Sequence, residues 1–327
     1  MDKPKLQAQS VSEDEADIRL DRWFKRHFPV VTHGQLQKLL RTGQIRVDGK
    51  RVEAATRLKA GQSIRVPPQA SQPPPAEHVQ RRSAELANKL KSLILFEDDD
   101  VIVLNKPAGL AVQGGTGLKE NLDDMLMDLS RDGHNKPKLV HRLDRDTSGV
   151  LLLARTTFAA AKLTEAFRDR VTKKIYWAIS LGVPSMMRGK ISAPLIKDGE
   201  IMRVVERDEG KLEEMKSAIT LYQVMESAKK HAAFLALWPI TGRTHQLRVH
   251  LAYIGNPILG DPIYAREATS SLPLKELGKG LHLHARQLII PHPRRGRIDV
   301  LAPLGREMQK TWQWFGFDTK AVADFTE

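Results

Sequence analysis

Apolar and charged positions between residues 17 and 67 follow a pattern that predicts two short helices. One side of the first helix is apolar and the other is charged. Its apolar positions are Ile18, Trp23 and Phe24. A second helix is predicted between the capping-box spacing at 32–35 and Gly43, a natural helix stop, with three leucines in between. The pattern favours a small helical module.

This module is predicted to end in short strands. Asp48-Gly49 separates two β-prone segments, 45–47 and 50–52, and this dipeptide is a strong hairpin signal. Gly61 precedes a last strand-like run at 63–66. Two helices and a hairpin bury only a small core, so a large part of the module remains available as surface.

Proline then interrupts the pattern. The stretch 67–75 contains five prolines and predicts an extended, semi-rigid spacer rather than a packed element. We therefore expect a flexible tail over 1–16, a first domain over 17–67, a linker over 68–93 and a second domain over 94–327.

From residue 94 onward, short apolar runs alternate irregularly with helical patterns. Strand-like runs lie at 101–104, 150–154 and 175–180. Thr157 is predicted to cap a helix that follows the 150–154 run. Two further runs, 219–225 and 234–238, flank a polar turn and predict an antiparallel hairpin. We expect an α+β domain built on a mixed, largely antiparallel β-sheet with flanking helices.

Composition narrows the class of protein. Of the 327 residues, 41% are hydrophobic, which is enough for a real core. The absence of cysteine excludes disulfide scaffolds, thiolate metal sites and cysteine nucleophiles. No apolar run approaches the ~18 residues of a membrane span, and the N-terminus lacks the layout of a signal peptide. We expect a cytoplasmic protein with no membrane partner.

Charge points to a polyanionic partner. The chain carries 52 Lys and Arg against 39 Asp and Glu, a net charge of +13. Residues 17–67 hold 12 basic and 4 acidic side chains, 12 − 4 = +8, so more than half of the excess lies in this module. Its candidate RNA-binding residues are Lys38, Arg41, Arg46, Lys50 and Arg51. The alternative is a solvated, charged surface.

Three polar segments of the second domain carry candidate chemistry. The first, 141–149, reads HRLDRDTSG and precedes a buried strand; the alternative is a turn whose carboxylates cap local amides. The second, 241–250, brings two arginines and two histidines to a loop that enters a helix, where a structural salt bridge is the alternative. In the third, His282 and His284 could pair on a metal, but core or hydrogen-bonding histidines are favoured.

These segments resemble known families. Residues 17–67 are similar to the S4 (α-L) RNA-binding domain through 19–21, 43–49 and 61–64. The second domain resembles the RluA-type RNA pseudouridine synthases, whose landmarks recur in family order. They are NKPAG at 105–109, the 141–149 segment, KIY at 174–176, the 241–250 segment, GNPILGDPIY at 255–264 and LHA at 283–285.

The resemblance implies an isomerase that converts uridine into pseudouridine. The N1–C1′ bond breaks, the uracil turns, and C5 bonds to C1′. Asp144 matches the family's essential aspartate, as nucleophile or as base, and Arg248 matches the arginine that pairs with it. Tyr176 matches the tyrosine that stacks on the base, and Arg142 the residue that fills the gap left by the flipped uridine. No cofactor and no metal are implied.

Within the family, the S4 module and residues 111–117 are most similar to the RluC type, which acts on large-subunit (23S) ribosomal RNA. The RluD type also carries an S4 domain and is an alternative. A charged insertion at 206–214 departs from the pattern. We expect a monomer that acts on ribosomal RNA or its assembly intermediate. Two other classes are a catalytically silent RNA-binding assembly factor, which the intact Asp144, Tyr176 and Arg248 disfavour, and a metal-dependent nuclease.

Overall fold

The computed structural model describes residues 7–28, 31, 33–68, 88–114, 121–131, 135–199, 201–205, 215–266, 272–273 and 275–325. The chain divides into two compact units. The N-terminal unit contains residues 1–85 together with 114–119, and the large unit contains 86–113 and 120–327. Residues 69–87 of the predicted linker (68–93) and the charged insertion at 206–214 lie outside the described residues.

The N-terminal unit contains the two predicted helices and a three-stranded antiparallel sheet. Its elements are β1 (Gln7–Ser10), α1 (Leu20–His27), α2 (His33–Arg41), β2 (Arg46–Val47) and β3 (Ser63–Val66). The strand order is β1-β3-β2. On α1, the apolar side buries Leu20, Trp23 and Phe24, so the predicted helix is confirmed, but Ile18 precedes it and is only partly buried.

Two expectations for this unit differ from the structure. Residues 7–16, assigned above to a flexible tail, instead contribute β1 along β3 and bury Val11 and Glu15. The segment 50–52 is no strand: Lys50 makes an isolated bridge to Val47, and β2 pairs with the more distant β3. The Asp48-Gly49 turn forms, with both residues at positive φ, but long-range pairing decides the sheet.

The large unit contains the strands and α-helices whose described bounds follow. The strands are β4 (Ile94–Glu97), β5 (Val101–Lys106), β6 (Lys138–Leu139), β7 (Ser148–Ala154), β8 (Lys173–Leu181), β9 (Arg188–Ser192), β10 (Leu195–Asp198), β11 (Ile201–Val204), β12 (Ile219–Ala228), β13 (Ala232–Pro239), β14 (Leu283–Pro291) and β15 (Arg297–Leu301). The helices are α3 (Leu122–Met125), α4 (Thr157–Arg168), α5 (Gln246–Tyr253) and α6 (Arg306–Phe315).

Ten of these strands form one sheet in the order β4-β5-β7-β14-β8-β13-β12-β9, with β6 on β7 and β15 on β14. The β7–β14 pair is parallel, and the other strand pairs of this sheet are antiparallel. The predicted mixed, largely antiparallel sheet is therefore confirmed. The strand-like runs and the β12–β13 hairpin also form as predicted. All seven residues of β7 are buried, which explains the uninterrupted apolar run at 150–154.

Gly149 allows two central strands of the sheet to approach closely. It has φ +109°, and a Cβ at this position would lie 2.2 Å from the carbonyl oxygen of Ala285. Glycine therefore permits β7 to approach β14 beside the polar segment 141–149. The junction places the end of this segment against the middle of the sheet.

The large unit begins before the expected boundary at residue 94, because Leu90 is fully buried in one of its apolar clusters. Along the described part of the chain, no helix is long and apolar enough to cross a membrane.

Candidate active site

The segment 141–149 forms a loop between β6 and β7. The N–H of Thr147 donates to the carbonyl oxygen of Asp144 at 3.2 Å, which closes a turn. The carboxylate of Asp144 is partly exposed, with 29% of the side chain accessible, and it lines a cavity of about 400 Å³. A cavity of this size is within the range that holds small ligands.

Lys106 fixes this loop from below. Its ammonium group is buried and donates to three carbonyl oxygens, those of Pro107, Leu110 and Arg145, at 2.8–2.9 Å. The N–H of Gly109 donates to the same Arg145 carbonyl. Burial lowers the pKa of Lys106 to about 8, against the opposing effect of the Asp146 and Asp144 charges. The NKPAG segment thus holds the residue next to Asp144.

The segment 241–250 supplies the opposite wall and enters α5 as predicted. Gln246 is buried, and its side-chain oxygen accepts from the Thr241 hydroxyl at 2.7 Å and from the Arg243 N–H at 3.0 Å. Its amide group donates to β12, at the Ile219 carbonyl and the Thr220 hydroxyl. With all its hydrogen-bonding groups satisfied, Gln246 ties the loop rigidly to the sheet.

Arg248 does not pair with Asp144, contrary to the expectation. Its guanidinium group makes a bidentate ion pair with Asp261, at 2.7 and 2.8 Å, and both side chains are buried. Asp261 also accepts the N–H groups of Ile263 and Tyr264. Burial opposes both charges, but their mutual hydrogen bonds raise the pKa of Arg248 and lower that of Asp261. Arg248 still lines the cavity.

His245 is the ionisable partner nearest to Asp144, with 3.9 Å between its Nε2 and the Asp144 Oδ2. It precedes α5 in a left-handed conformation, φ 52° and ψ 14°. The Nδ1 of His245 lies 2.9 Å from the hydroxyl of Tyr264, and that hydroxyl accepts the N–H of Met202 at 3.0 Å.

Tyr176 lies on β8 and lines the same cavity. Burial raises the pKa of its phenol, and the negative charge of Asp144 adds to this effect. The phenol therefore keeps its proton at neutral pH. The structure brings Asp144, Tyr176 and Arg248 to one cavity although they come from separate parts of the chain.

Arg142, exposed at the mouth, donates to the hydroxyl of Thr244 at 3.1 Å and so connects the two walls. Among the described residues that line the cavity, Asp144 is the one acidic side chain, whereas six are basic. The basic residues are Arg142, Arg168, Arg170, Lys174, Arg243 and Arg248. Burial lowers the pKa of Lys174. Such a lining attracts a polyanion to a single carboxylate.

The third polar segment belongs to the core. His284 contacts the hydroxyl of Ser148 at 2.8 Å and the carbonyl of Ala302 at 3.1 Å. His282 contacts the hydroxyl of Thr311 at 2.7 Å. Burial lowers the pKa of both imidazoles, to about 4 for His284. Within the described ranges, no group of three or more His, Cys, Asp or Glu side chains is arranged to hold a metal ion.

The five candidate RNA-binding residues of the N-terminal unit divide into two groups by exposure. Lys38, Arg41, Lys50 and Arg51 are exposed. Arg46 is half-buried, and its guanidinium donates to the carbonyls of Gly43 and Gly49 at 3.2 and 3.0 Å, so it braces the turn. Thr32, of the expected capping box, lies outside the described residues.

Sequence reasoning assigned no role to Lys106, Gln246, Asp261 or Tyr264. All four lie within segments already singled out for their resemblance, and that was the available signal. His245 lies in the 241–250 segment, but the sequence indicates no individual role for it. Its proximity to Asp144 depends on a contact 101 residues away in the sequence, which no local pattern reports.

Comparison with known proteins defines the class to which this arrangement belongs. Residues 100–253 match the RNA pseudouridylate synthase family, and residues 18–64 match the S4 domain. The first match contains Asp144, Tyr176 and Arg248, and the second lies within the N-terminal unit. An S4 domain is thus followed by a domain that isomerises uridine in RNA.

Individual relatives extend the match to nearly the whole chain. The ribosomal large subunit pseudouridine synthase C of Vibrio vulnificus is 34% identical over 95% of this chain and 97% of its own length. The mitochondrial RNA pseudouridine synthase 4 of Arabidopsis thaliana is 38% identical over 86% of this chain and 72% of its own. The chain therefore belongs to the RNA pseudouridine synthases and is an isomerase.

A solved structure shares the fold. The human RNA Pseudouridylate Synthase Domain Containing 4 superimposes with a TM-score of 0.62 at 33% identity, covering 73% of this chain and 99% of that one.

Proposed function

We propose that this protein converts specific uridines of large-subunit ribosomal RNA into pseudouridine, with Asp144 as the catalytic residue. The observation that carries the proposal is the placement of one carboxylate in a cavity whose other ionisable lining residues are largely basic. The basic residues that line the cavity bind the phosphates of an RNA strand, and the carboxylate of Asp144 acts on a nucleotide that enters the cavity. The Vibrio vulnificus relative, whose name specifies the ribosomal large subunit, supports ribosomal RNA as the substrate.

The chemistry is an isomerisation within one nucleotide. The N1–C1′ bond breaks, uracil rotates, the C5–C1′ bond forms, and the hydrogen on C5 is lost while N1 gains one. Asp144 acts as nucleophile or as base during this sequence. Tyr176, which lines the cavity beside Asp144, stacks on the base and takes part in proton transfer. Arg142, at the mouth, occupies the place that the flipped uridine leaves in its strand.

The exposed basic residues Lys38, Arg41, Lys50 and Arg51 bind RNA phosphates through the S4 domain. The protein works as a monomer in the cytoplasm and needs neither cofactor nor metal. The RNA is free ribosomal RNA or an assembly intermediate, and the RluD-type set of uridines is the alternative to the RluC-type set.

Replacement of Asp144 tests the catalytic role. We expect Asp144→Asn to abolish isomerisation, because asparagine keeps the shape but has neither charge nor basicity. Activity is measured as tritium released from C5-labelled uridine in a large-subunit transcript, and RNA affinity by filter binding. RNA affinity should stay near the wild-type value. Asp169→Asn, which changes an exposed carboxylate paired with Arg168 at the cavity rim, is the matched control. Turnover by Asp144→Asn, purified free of host enzyme, would remove Asp144 from the catalytic role.

Mapping of pseudouridines tests the substrate. Large-subunit RNA from cells that lack this protein should lose pseudouridine at particular positions, and the wild-type gene, but not Asp144→Asn, should restore them. An unchanged map would reject large-subunit RNA as the substrate without affecting the role of Asp144 in vitro.

A further inference from the structure

His245 has a backbone conformation that an L-amino acid adopts only at a cost. With φ 52° and ψ 14°, it lies in the left-handed region, where a non-glycine residue is disfavoured by about 1–2 kcal/mol. Its side chain caps no N–H of α5. Strain of this kind persists where the surroundings hold it, and it often marks functional sites. The contacts of the imidazole indicate what that function is.

The hydrogen bonds of Tyr264 determine which nitrogen of His245 carries the proton. The Tyr264 hydroxyl accepts from the Met202 N–H, which can only donate. The hydroxyl proton then has an acceptor in His245 Nδ1, 2.9 Å away. With Nδ1 accepting, the neutral ring carries its proton on Nε2, the atom that faces Asp144. The opposite tautomer would leave the tyrosine proton without this partner.

The protein keeps this imidazole neutral although a carboxylate lies nearby. Burial is the main effect that lowers the pKa of His245, and the charge of Arg248 adds to it, against the opposing charges of Asp144, Asp261 and Asp146. Arg248 itself is engaged by Asp261. Asp144 therefore faces a neutral donor rather than a bidentate guanidinium, and such a donor can orient the carboxylate without neutralising its charge.

We propose that His245 is a positioning residue for the isomerisation: it presents Nε2–H to Asp144 and holds the carboxylate in the orientation that faces the bound nucleotide. The separation of 3.9 Å is longer than a hydrogen bond. Contacts of this kind tighten when the substrate fills an active site. Tyr264 acts one step further away by fixing the tautomer. This inference rests on the proposed catalytic role of Asp144.

Matched variants at position 245 test the donor. Glutamine and methionine are both unbranched and similar in length, and both bear the same left-handed strain, but only glutamine offers an N–H. Because a misplacement of about 1 Å can cost about 10²-fold in rate, we expect His245→Met to lower kcat by about 10- to 100-fold with KM for the RNA within about threefold of wild type. His245→Gln should recover at least about tenfold of that loss.

A second comparison leaves the strained residue in place. Tyr264→Phe keeps the ring that stacks under Arg248 but removes the hydroxyl that fixes the tautomer, and we expect a several-fold fall in kcat. Tyr253→Phe, which changes an exposed tyrosine at the end of α5, is the control and should match wild type. This comparison retains its meaning if variants at position 245 fold poorly.

The outcomes separate the two proposals. If Asp144→Asn retains activity, the role of Asp144 fails, and the positioning role fails with it. If Asp144→Asn is inactive while His245→Met turns over as fast as His245→Gln, the inference alone is overturned. A Tyr264→Phe variant with the wild-type kcat, or His245 variants altered only in KM, would overturn it as well.

Discussion

At the scale of single residues, the buried pair of Arg248 and Asp261 supports one wall of the cavity. The Arg248 side chain is 3% exposed and that of Asp261 is fully buried, so water cannot replace either partner. A buried charge that loses its partner costs far more than an exposed one, because its desolvation is no longer compensated. The pair therefore affects stability first and activity through the shape of the cavity.

We expect Arg248→Ala to lower the free energy of unfolding by about 3–5 kcal/mol and to abolish activity. Asp261→Asn should be destabilising in the same direction, which would not follow if Asp144 were the partner of Arg248. Urea unfolding followed by circular dichroism measures both variants. Lys162→Ala, which removes an exposed pair with Glu165, is the control at about 0–1 kcal/mol. Wild-type stability and activity of Arg248→Ala would contradict the assignment.

Glu15 is a buried, hydrogen-bonded carboxylate that stabilises the N-terminal unit. Burial acts to raise its pKa, but hydrogen bonds from His27, Ser12 and the Trp23 indole lower it to about 2, from an ordinary value of 4.5. Since the folded pKa is depressed, the stabilisation is complete above pH 4.5 and is lost as the pH falls through about 2.

We expect Glu15→Gln to destabilise the N-terminal unit by about 1–3 kcal/mol at pH 7, because it weakens the contacts to Trp23 and His27. The difference from wild type should shrink between pH 4.5 and 2. It is measured on the full chain, by urea titration of the Trp23 indole N–H resonance. Glu13→Gln, an exposed change in the same turn, should have little effect. A pH-independent difference would show that the carboxylate charge is not responsible.

At the scale of elements, the close approach of β7 and β14 shapes the site. The two strands meet in parallel at Ser148–His284 and Gly149–Ala285, just after the loop that carries Asp144. A side chain at position 149 would push the strands apart, and the loop would move with β7. The register of the central sheet and the position of the carboxylate are therefore coupled.

We expect Gly149→Ala to cost about 3 kcal/mol or more, from overpacking against Ala285 together with left-handed strain. Gly296→Ala isolates the strain, because Gly296 has φ +71° with open space around it, and it should cost about 1–2 kcal/mol. Thermal unfolding of both variants decides the matter. Equal losses in stability would indicate that the contact with Ala285 relaxes freely.

At the scale of the whole molecule, more than half of the net positive charge lies apart from the proposed catalytic residues. Residues 17–67 carry a net charge of +8, whereas Asp144, Tyr176 and Arg248 all lie in the large unit. Binding and turnover should therefore be separable by truncation.

We expect deletion of residues 1–75 to leave activity on a short stem-loop and to weaken modification of long ribosomal RNA. Fewer counterions are released when fewer cations bind, so the dependence of affinity on salt should become flatter. Wild type and truncation are compared on both RNAs across a salt series. Equal activity and equal salt slope on the long RNA would show that the S4 domain is not the docking element.

The sequence alone determined what local periodicity and contiguous motifs encode. Amphipathic spacing specified α1, and uninterrupted apolar runs specified buried strands such as β7, because burial on one or both faces leaves a pattern in neighbouring residues. The matching segments also identified the class of enzyme and most residues of the cavity.

Tertiary structure decided which groups meet. Two carboxylates, Asp144 and Asp261, were available to Arg248, and only the packing of α5 against the turn after it selected Asp261. The approach of His245 to Asp144 and the addition of β1 to the N-terminal sheet depend on similar contacts between distant segments. Such choices depend on distances of a few ångströms between chain segments far apart in sequence, and a pattern of neighbouring residues carries no record of them.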